Sequence, residues 1–232
     1  LARLEHPNIT RLLDGGVTDD GRPWFALELV DGEPLLAYCD RLQLSIDARI
    51  DLFLQVCDAV EYAHRNLVIH RDLKPGNVLV TRDGVVKLLD FGIAKLIEAD
   101  DPRITQTRAL VMTPENAAPE QTVGGLITTQ TDVYQLGLML AELLSGHRPP
   151  ARHTDAAGTA PSRLNAAFSG RSAVADPHLS AVAANRGSSV RALARTLRGD
   201  LDRIVRRATS VEPQRRYLSA SAIGEDLKRY RQ

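Results

Sequence analysis

The sequence predicts an α+β fold in which a few short strands precede a body made mainly of helices. Three observations lead there. Up to about residue 30, apolar residues fall in short runs bounded by turn residues. From Ile46 onward they recur every three or four residues, the period of one helix face. Between these regimes, Asp83-Gly84 separates Val78-Leu79-Val80 from Val85-Val86-Lys87-Leu88-Leu89, a strong signal for a two-residue hairpin.

Each element follows in order. Leu1 to Ile9 reads as the end of a helix and a turn at Pro7, so the chain looks cut from something longer. Ile9–Leu13 and Trp24–Val30 read as strands, separated by the turn-rich stretch Asp14–Pro23. Ile46, Ile50, Phe53, Cys57 and Val60 mark a helix to about Asn66, with Ser45 as its N-cap. A long irregular stretch runs from Gly92 to about Thr129. Val133, Leu136, Leu140, Leu143 and Leu144 mark a second helix, stopped by Gly146 and Pro149. Residues 148–190, rich in Ala, Ser, Arg and Gly, read as long loops around short helices. Leu201, Ile204, Val205 and Ala208 indicate one further helix, and Ile223, Leu227 and Tyr230 another. There are no internal repeats.

Composition narrows the function classes. The 232 residues suffice to bury a core, and 44% hydrophobic with 25% charged is the balance of a globular protein. Lys plus Arg and Asp plus Glu both number 29, so net charge gives no reason to expect nucleic acid or an anionic membrane as partner. The stretch from Arg186 to Arg216 is locally basic, with nine arginines and three acids; a solvated helix face is the simpler reading. No apolar run approaches a membrane span; the longest candidate, Leu136–Leu144, contains Glu142. Cys39 and Cys57 stand far apart, which argues against a disulfide framework and suits a reducing compartment. The cytoplasm is the expected location.

The chemistry concentrates around the hairpin. Asn77 immediately precedes its first strand and Asp90 follows its second, so a tight turn brings both oxygens towards one ion. Mg²⁺ prefers such hard donors and keeps several waters. Asp72, five residues before Asn77, is placed to meet an incoming hydroxyl, and Lys74 to reach a transferring phosphoryl group. Phosphoryl transfer asks mainly for this positioning and charge neutralisation. Each residue alone is an ordinary loop residue; the ordered set is not.

His70-Arg71-Asp72-Leu73-Lys74-Pro75-Gly76-Asn77 resembles the catalytic loop of protein kinases. Asp90-Phe91-Gly92 resembles their metal-binding motif, and Ala118-Pro119-Glu120 the end of their activation segment. The resemblance covers nearly the whole chain, most loosely over 148–190, and is strongest to bacterial serine/threonine kinases through Met112–Gln121, Arg198–Asp202 and Arg215-Arg216-Tyr217. It implies a partial small β lobe, hinge side only, over residues 1–31, and a complete mainly α-helical large lobe over 32–232. It implies ATP and Mg²⁺ as cofactors and protein Ser or Thr hydroxyls as acceptors. Asp72 would be the catalytic base or orient the hydroxyl, Asn77 and Asp90 would bind Mg²⁺, and Lys74 would contact the γ-phosphate. Thr113 would touch Asp72 and Lys74. Leu27-Glu28-Leu29-Val30 would be the hinge, with Leu27 as gatekeeper and backbone groups of Glu28 and Val30 facing adenine.

The same resemblance gives other residues supporting roles. His70 would brace the loop, Asp132 would anchor its backbone, and Glu120 with Arg216 would form a buried ion pair. Arg71 would meet a phosphate on the activation segment, with Thr105 and Thr107 as autophosphorylation candidates. Two departures stand out. No Gly-rich loop, strand lysine or helix glutamate precedes the hinge, and Lys87 and Lys95 lie on the wrong side of the catalytic loop to substitute. Asn116 replaces an aromatic. A catalytically inactive, truncated kinase-like binding module is therefore the alternative reading. Small-molecule phosphotransferases of related fold rank lower, because they lack the Ala-Pro-Glu segment and Arg216.

Overall fold

A computed structural model describes residues 4–20, 22–89, 116–148, 163–169 and 172–232. Leu12–Val17 (β1) and Pro23–Leu27 (β2) pair antiparallel, in a register that sets Gly16 opposite Trp24 and Gly15 opposite Phe25. The first strand thus runs through Asp14-Gly15-Gly16, where the sequence reads as turn. A Cβ on Gly15 would stand 3.0 Å from Phe25 Cδ1, and one on Gly16 3.0 Å from Trp24 Nε1. Both aromatic rings lie over glycine backbone, and this cross-strand contact outweighs the poor strand propensity of glycine. Ile9 instead forms an isolated parallel bridge to Leu88, and no helix is present at 4–6.

Gly32–Pro34 (β3), Val78–Thr81 (β4) and Val86–Leu88 (β5) form a three-stranded sheet in the order β3-β4-β5. The hairpin is present, but its loop has three residues, not two. Gly84 N–H donates to the Thr81 carbonyl at 3.0 Å, Thr81 N–H to that of Val85 at 2.9 Å, and Gly84 has φ 76°. That is a turn followed by a left-handed glycine, a form that tolerates Arg82 ahead of Asp83-Gly84. Asn8 and Thr10 bond the other edge of β5, at 2.8 and 2.9 Å to the Leu88 backbone. This ties the first residues to the body; Leu4 and Ile9 belong to its core.

Leu35–Arg41 (α1) leads to Ile46–Arg65 (α2). Ser45 caps α2 as expected, accepting from Ala48 N–H at 3.3 Å. After the single turn Pro119–Thr122 (α3) comes Thr129–Ser145 (α4). Almost every residue of α4 is buried, so it is the central post of the helical body rather than a one-faced surface helix. Gly146, at φ 73°, ends it. Pro177–Ala184 (α5), Val190–Thr196 (α6), Asp200–Ala208 (α7) and Ala220–Tyr230 (α8) complete the described α-helices. Cys39 and Cys57 are buried in the core.

Close approach of α4 to α7 depends on Gly137, where an added Cβ would lie 2.7 Å from Ala208 Cβ and 2.8 Å from Thr209 Cγ2. Gly137→Ala should therefore destabilise the domain by about 1–3 kcal/mol, less the ~1 kcal/mol that alanine gains in a helix. Urea unfolding should show a lower midpoint at unchanged slope; a raised midpoint would disprove the close contact.

Two arginines hold helix ends together. Arg49 donates to the carbonyls of Leu44 (2.9 Å), Cys39 (3.1 Å), Asn185 (2.6 Å) and Leu143 (3.3 Å) and pairs with Asp40 at 2.7 Å. Arg186 donates to the carbonyls of Leu144 (2.6 Å), Leu143 (3.1 Å) and Val182 (2.9 Å). The C-terminal ends of α1, α4 and α5, whose last carbonyls lack helix partners, thus converge on two guanidinium groups. Burial and then the neighbouring charge of Arg49 push Arg186 down to about 10.

Candidate active site

The site is assembled from the first turn of α4 outward. Asp132 is buried, and its carboxylate accepts from His70 N–H and Arg71 N–H, each at 2.8 Å. One side chain thereby fixes two consecutive backbone amides of the loop entering Asp72. His64 on α2 meets the same carboxylate through Nε2 at 2.7 Å. Arg71 has φ 69°, a conformation that residues with a Cβ adopt rarely and that costs about 1–3 kcal/mol. Asp132 is one of the contacts that offset this strain.

His70 links the loop to the hairpin. Its Nε2 lies 2.9 Å from the Leu89 carbonyl, and Asp72 N–H points to Nδ1 at 3.4 Å. A carbonyl can only accept, so Nε2 carries the proton and Nδ1 is the lone-pair end of a neutral ring. Burial lowers the His70 pKa below its usual 6.5, against the raising influence of Asp132. The folded state therefore binds fewer protons at this ring than the unfolded chain, whose histidine protonates near 6.5. Stability contributed by neutral His70 is complete above that value and is lost as pH falls below it. His70→Gln should flatten the decline of melting temperature between pH 7 and 5; an unaltered decline would show that His70 does not drive it.

The sheet then sets the positions of Asn77 and Leu89. Leu89 N–H donates to the Asn77 carbonyl at 2.8 Å, beside the Val78–Leu88 pair. Leu89 is held through both its N–H and its carbonyl, and it immediately precedes Asp90. Asp90 itself, with Phe91, Gly92, Lys95, Thr105, Thr107 and Thr113, lies outside the described residues. Pro75–Asn77 form a 3-10 turn with Pro75 at its first position, where a missing N–H is harmless. Asn77 Nδ2 donates to the Asp72 carbonyl at 3.0 Å, which engages the nitrogen within the loop and makes Oδ1 the end suited to a cation. Lys74 Nζ pairs with Asp72 Oδ2 at 2.8 Å. Loop geometry thus brings Asp72, Lys74 and Asn77 together.

The predicted hinge sits at the end of β2. Glu28 N–H donates to the Arg11 carbonyl at 3.0 Å, and its side chain pairs with Lys87 on β5 at 2.6 Å. That hydrogen bond, against the effect of burial, lowers the Glu28 pKa. Leu27 and Val30 are partly buried, whereas Leu29 is 98% exposed.

Glu120 and Arg216 form the anticipated ion pair, bidentate at 2.7 and 2.8 Å, with Thr131 Oγ1 donating to Glu120 at 2.8 Å. Burial works to raise the Glu120 pKa, but the Arg216 hydrogen bonds and neighbouring donors outweigh it and the net shift is downward. Arg216 also packs 4.8 Å from the Tyr134 ring centroid. Three contributors were missed from sequence: His64, Gln121 and Gln135. Each acts on a partner tens of residues away, and although Gln121 closes the Met112–Gln121 stretch, nothing local gives it a role. Among the described residues no group of three His, Cys, Asp or Glu could hold a metal. The candidate donor here is instead the Asn77 side-chain amide oxygen, and an amide with carboxylates is chemistry that suits a hard cation.

Comparison with known proteins decides the family, because a model described as the protein kinase domain matches residues 1–223. The chain belongs to the protein kinase family. It is 32% identical over 98% of its length to the serine/threonine-protein kinase PknB of Mycobacterium leprae, spanning 34% of that protein. It is 42% identical over 63% of its length to the serine/threonine-protein kinase Pkn1 of Myxococcus xanthus, spanning 21% of it. It is 40% identical over 64% of its length to PknA of Mycobacterium tuberculosis, spanning 35%. The chain therefore spans about a third or less of these curated relatives. The described architecture, a small sheet region on a mainly helical body, is that of a partial kinase fold.

Proposed function

We propose that this domain transfers the γ-phosphate of ATP to Ser and Thr hydroxyls of proteins. The observation that carries the reading is the loop geometry: Asp72 and Lys74 paired at 2.8 Å, on a backbone anchored by Asp132 and bonded to Asn77. When bound, Mg-ATP supplies the phosphoryl group and the cation that neutralises its charge. Asn77 Oδ1 and the Asp90 carboxylate would hold that cation. Asp72 orients the acceptor hydroxyl and takes up its proton, while Lys74 balances charge on the transferred oxygens. Thr113 would brace both. Leu27 lines the nucleotide base, and the Glu28 carbonyl and Val30 backbone are its hydrogen-bonding groups. Residues 116–121 dock the acceptor peptide beside Asp72.

Names of the relatives, Lys74, and Thr113 in the segment before Ala118-Pro119-Glu120 all support Ser/Thr over Tyr acceptors. We place the domain in the cytoplasm, where ATP and Mg²⁺ are held. Among the described residues no helix is long and apolar enough to cross a membrane. Nucleic acid is not a partner in this reading. Arg71 Nε is buried without a hydrogen-bond partner among the described residues, which favours a phosphate on Thr105 or Thr107 as its ligand.

No lysine precedes Lys74 in these 232 residues. The lysine that pairs the α- and β-phosphates must then come from elsewhere, so these residues alone should transfer little or no phosphate. Joined to a Gly-rich, lysine-bearing small lobe, they should phosphorylate a generic basic protein in a Mg²⁺-dependent assay. An inactive joined protein would overturn the enzymatic reading and leave the binding-module alternative.

A further inference from the structure

Asp72 lies between two residues whose backbones are gripped by one buried side chain. Gln135 stands three residues after Asp132 on α4, on the same face of the helix, and is 1% exposed. Its Oε1 accepts from Leu73 N–H at 2.8 Å. Its Nε2 lies 3.1 Å from the Arg71 carbonyl, 3.0 Å from Gln121 Oε1 and 3.4 Å from the Asn116 carbonyl. Gln121 Nε2 donates to the same Arg71 carbonyl at 2.9 Å, and its Oε1 accepts from Ala118 N–H at 2.8 Å.

The two amides thus face both ways. Towards the loop they hold the carbonyl before Asp72 and the N–H after it. Towards the segment 116–121 they hold Asn116 and Ala118. The left-handed Arg71 is held at both of its backbone groups, its N–H by Asp132 and its carbonyl by the two glutamines. An apolar pair could pack α3 against α4 without the desolvation penalty that two buried amides carry. What an apolar pair lacks is directionality, and a fully bonded polar network fixes register.

We infer that Gln135 and Gln121 are positioning residues for phosphoryl transfer. Their amide pair sets the register of the acceptor-docking segment 116–121 against Asp72, so that a bound Ser or Thr hydroxyl falls at its carboxylate. The inference rests on the kinase reading above and extends it to the acceptor side of the site.

Two variants test it, Gln135→Met and the less buried Gln121→Met, each close in shape to the side chain it replaces. In the lobe-joined, phosphorylating form, either variant should lower kcat/KM for an acceptor peptide roughly tenfold, about the worth of one buried hydrogen bond. The KM for ATP should stay unchanged, and the double variant should lose little more than either single one. In the 232-residue chain, amide exchange at Leu73 in Gln135→Met and at Ala118 in Gln121→Met should quicken by a similar factor, with β4 amides unaltered. Wild-type peptide kinetics in both variants, or an equal shift in the KM for ATP, would overturn the inference. Protected Leu73 and Ala118 amides in a wild-type protein that transfers no phosphate would overturn the kinase reading instead, leaving the register clamp in place.

Discussion

Replacing Asp72 by Asn should reduce phosphate transfer by on the order of a hundred- to ten-thousandfold while leaving the domain folded. Asparagine keeps the shape of the side chain and an oxygen for Lys74, but it cannot accept the acceptor proton and carries no charge. The loop does not depend on that carboxylate for its conformation. Its backbone is set by Asp132, Gln135 and the Asn77 amide, which bonds the Asp72 carbonyl at 3.0 Å and its carboxylate only at 3.5 Å. Steady-state kinetics and a melting curve on the lobe-joined variant check both halves. A rate within a few fold of wild type would remove Asp72 from the chemistry. A lost melting transition would show that its role is structural.

Arg49→Met should be a severe single change to stability, costing about 2–4 kcal/mol through the carbonyls it orphans. That is a large fraction of the roughly 5–15 kcal/mol that holds a domain folded. The Arg49 side chain is 0% exposed. Four carbonyls at or near the ends of α1, α4 and α5 turn towards it; methionine would leave those of Leu44 and Asn185 without this donor, while Cys39 keeps the Leu44 N–H and Leu143 keeps Arg186. Arg186 shares only the Leu143 carbonyl, so it cannot compensate. Asp40 is 40% exposed and would rehydrate, so the loss comes from the carbonyls rather than from the ion pair. Urea unfolding measures the effect. A change under about 1 kcal/mol would mean that the helix ends relax to other donors.

Local signals carried much of this structure. Ser45 and a clean apolar period announced α2, and Gly146 announced the end of α4, because caps and periodicity act within a few residues. The short α1 escaped notice because Pro34 at its N-cap offers no side-chain acceptor and seven residues barely show a period. Ser189 does cap α6, accepting from Ala192 N–H, but within a stretch whose arginines and serines mask the apolar face. β1 was hidden by Gly15 and Gly16, whose value appears only when Phe25 and Trp24 lie over them.

The same distinction divides the site. Asp72, Lys74 and Asn77 were legible from their spacing before and within the hairpin signal, since the loop that joins them is short. Asp132, Glu120 and Arg216 were legible only through family resemblance, as their partners are distant in sequence. Gln135 carried no signal, and Gln121, though it closes the Met112–Gln121 stretch, carried none for its role. A buried glutamine in an apolar helix looks like a misplaced polar residue until the backbone it holds is known.

Phosphoamino-acid analysis bears most directly on the reading of His70–Asn77 as a Ser/Thr kinase loop. The lobe-joined protein would be given ATP labelled at the γ-phosphate, Mg²⁺ and a mixed protein substrate, and the labelled product hydrolysed. Label in phosphoserine and phosphothreonine, absent from the Asp72→Asn sample, is the expected result. Label in phosphotyrosine, or equal label with and without the Asp72 carboxylate, would contradict it.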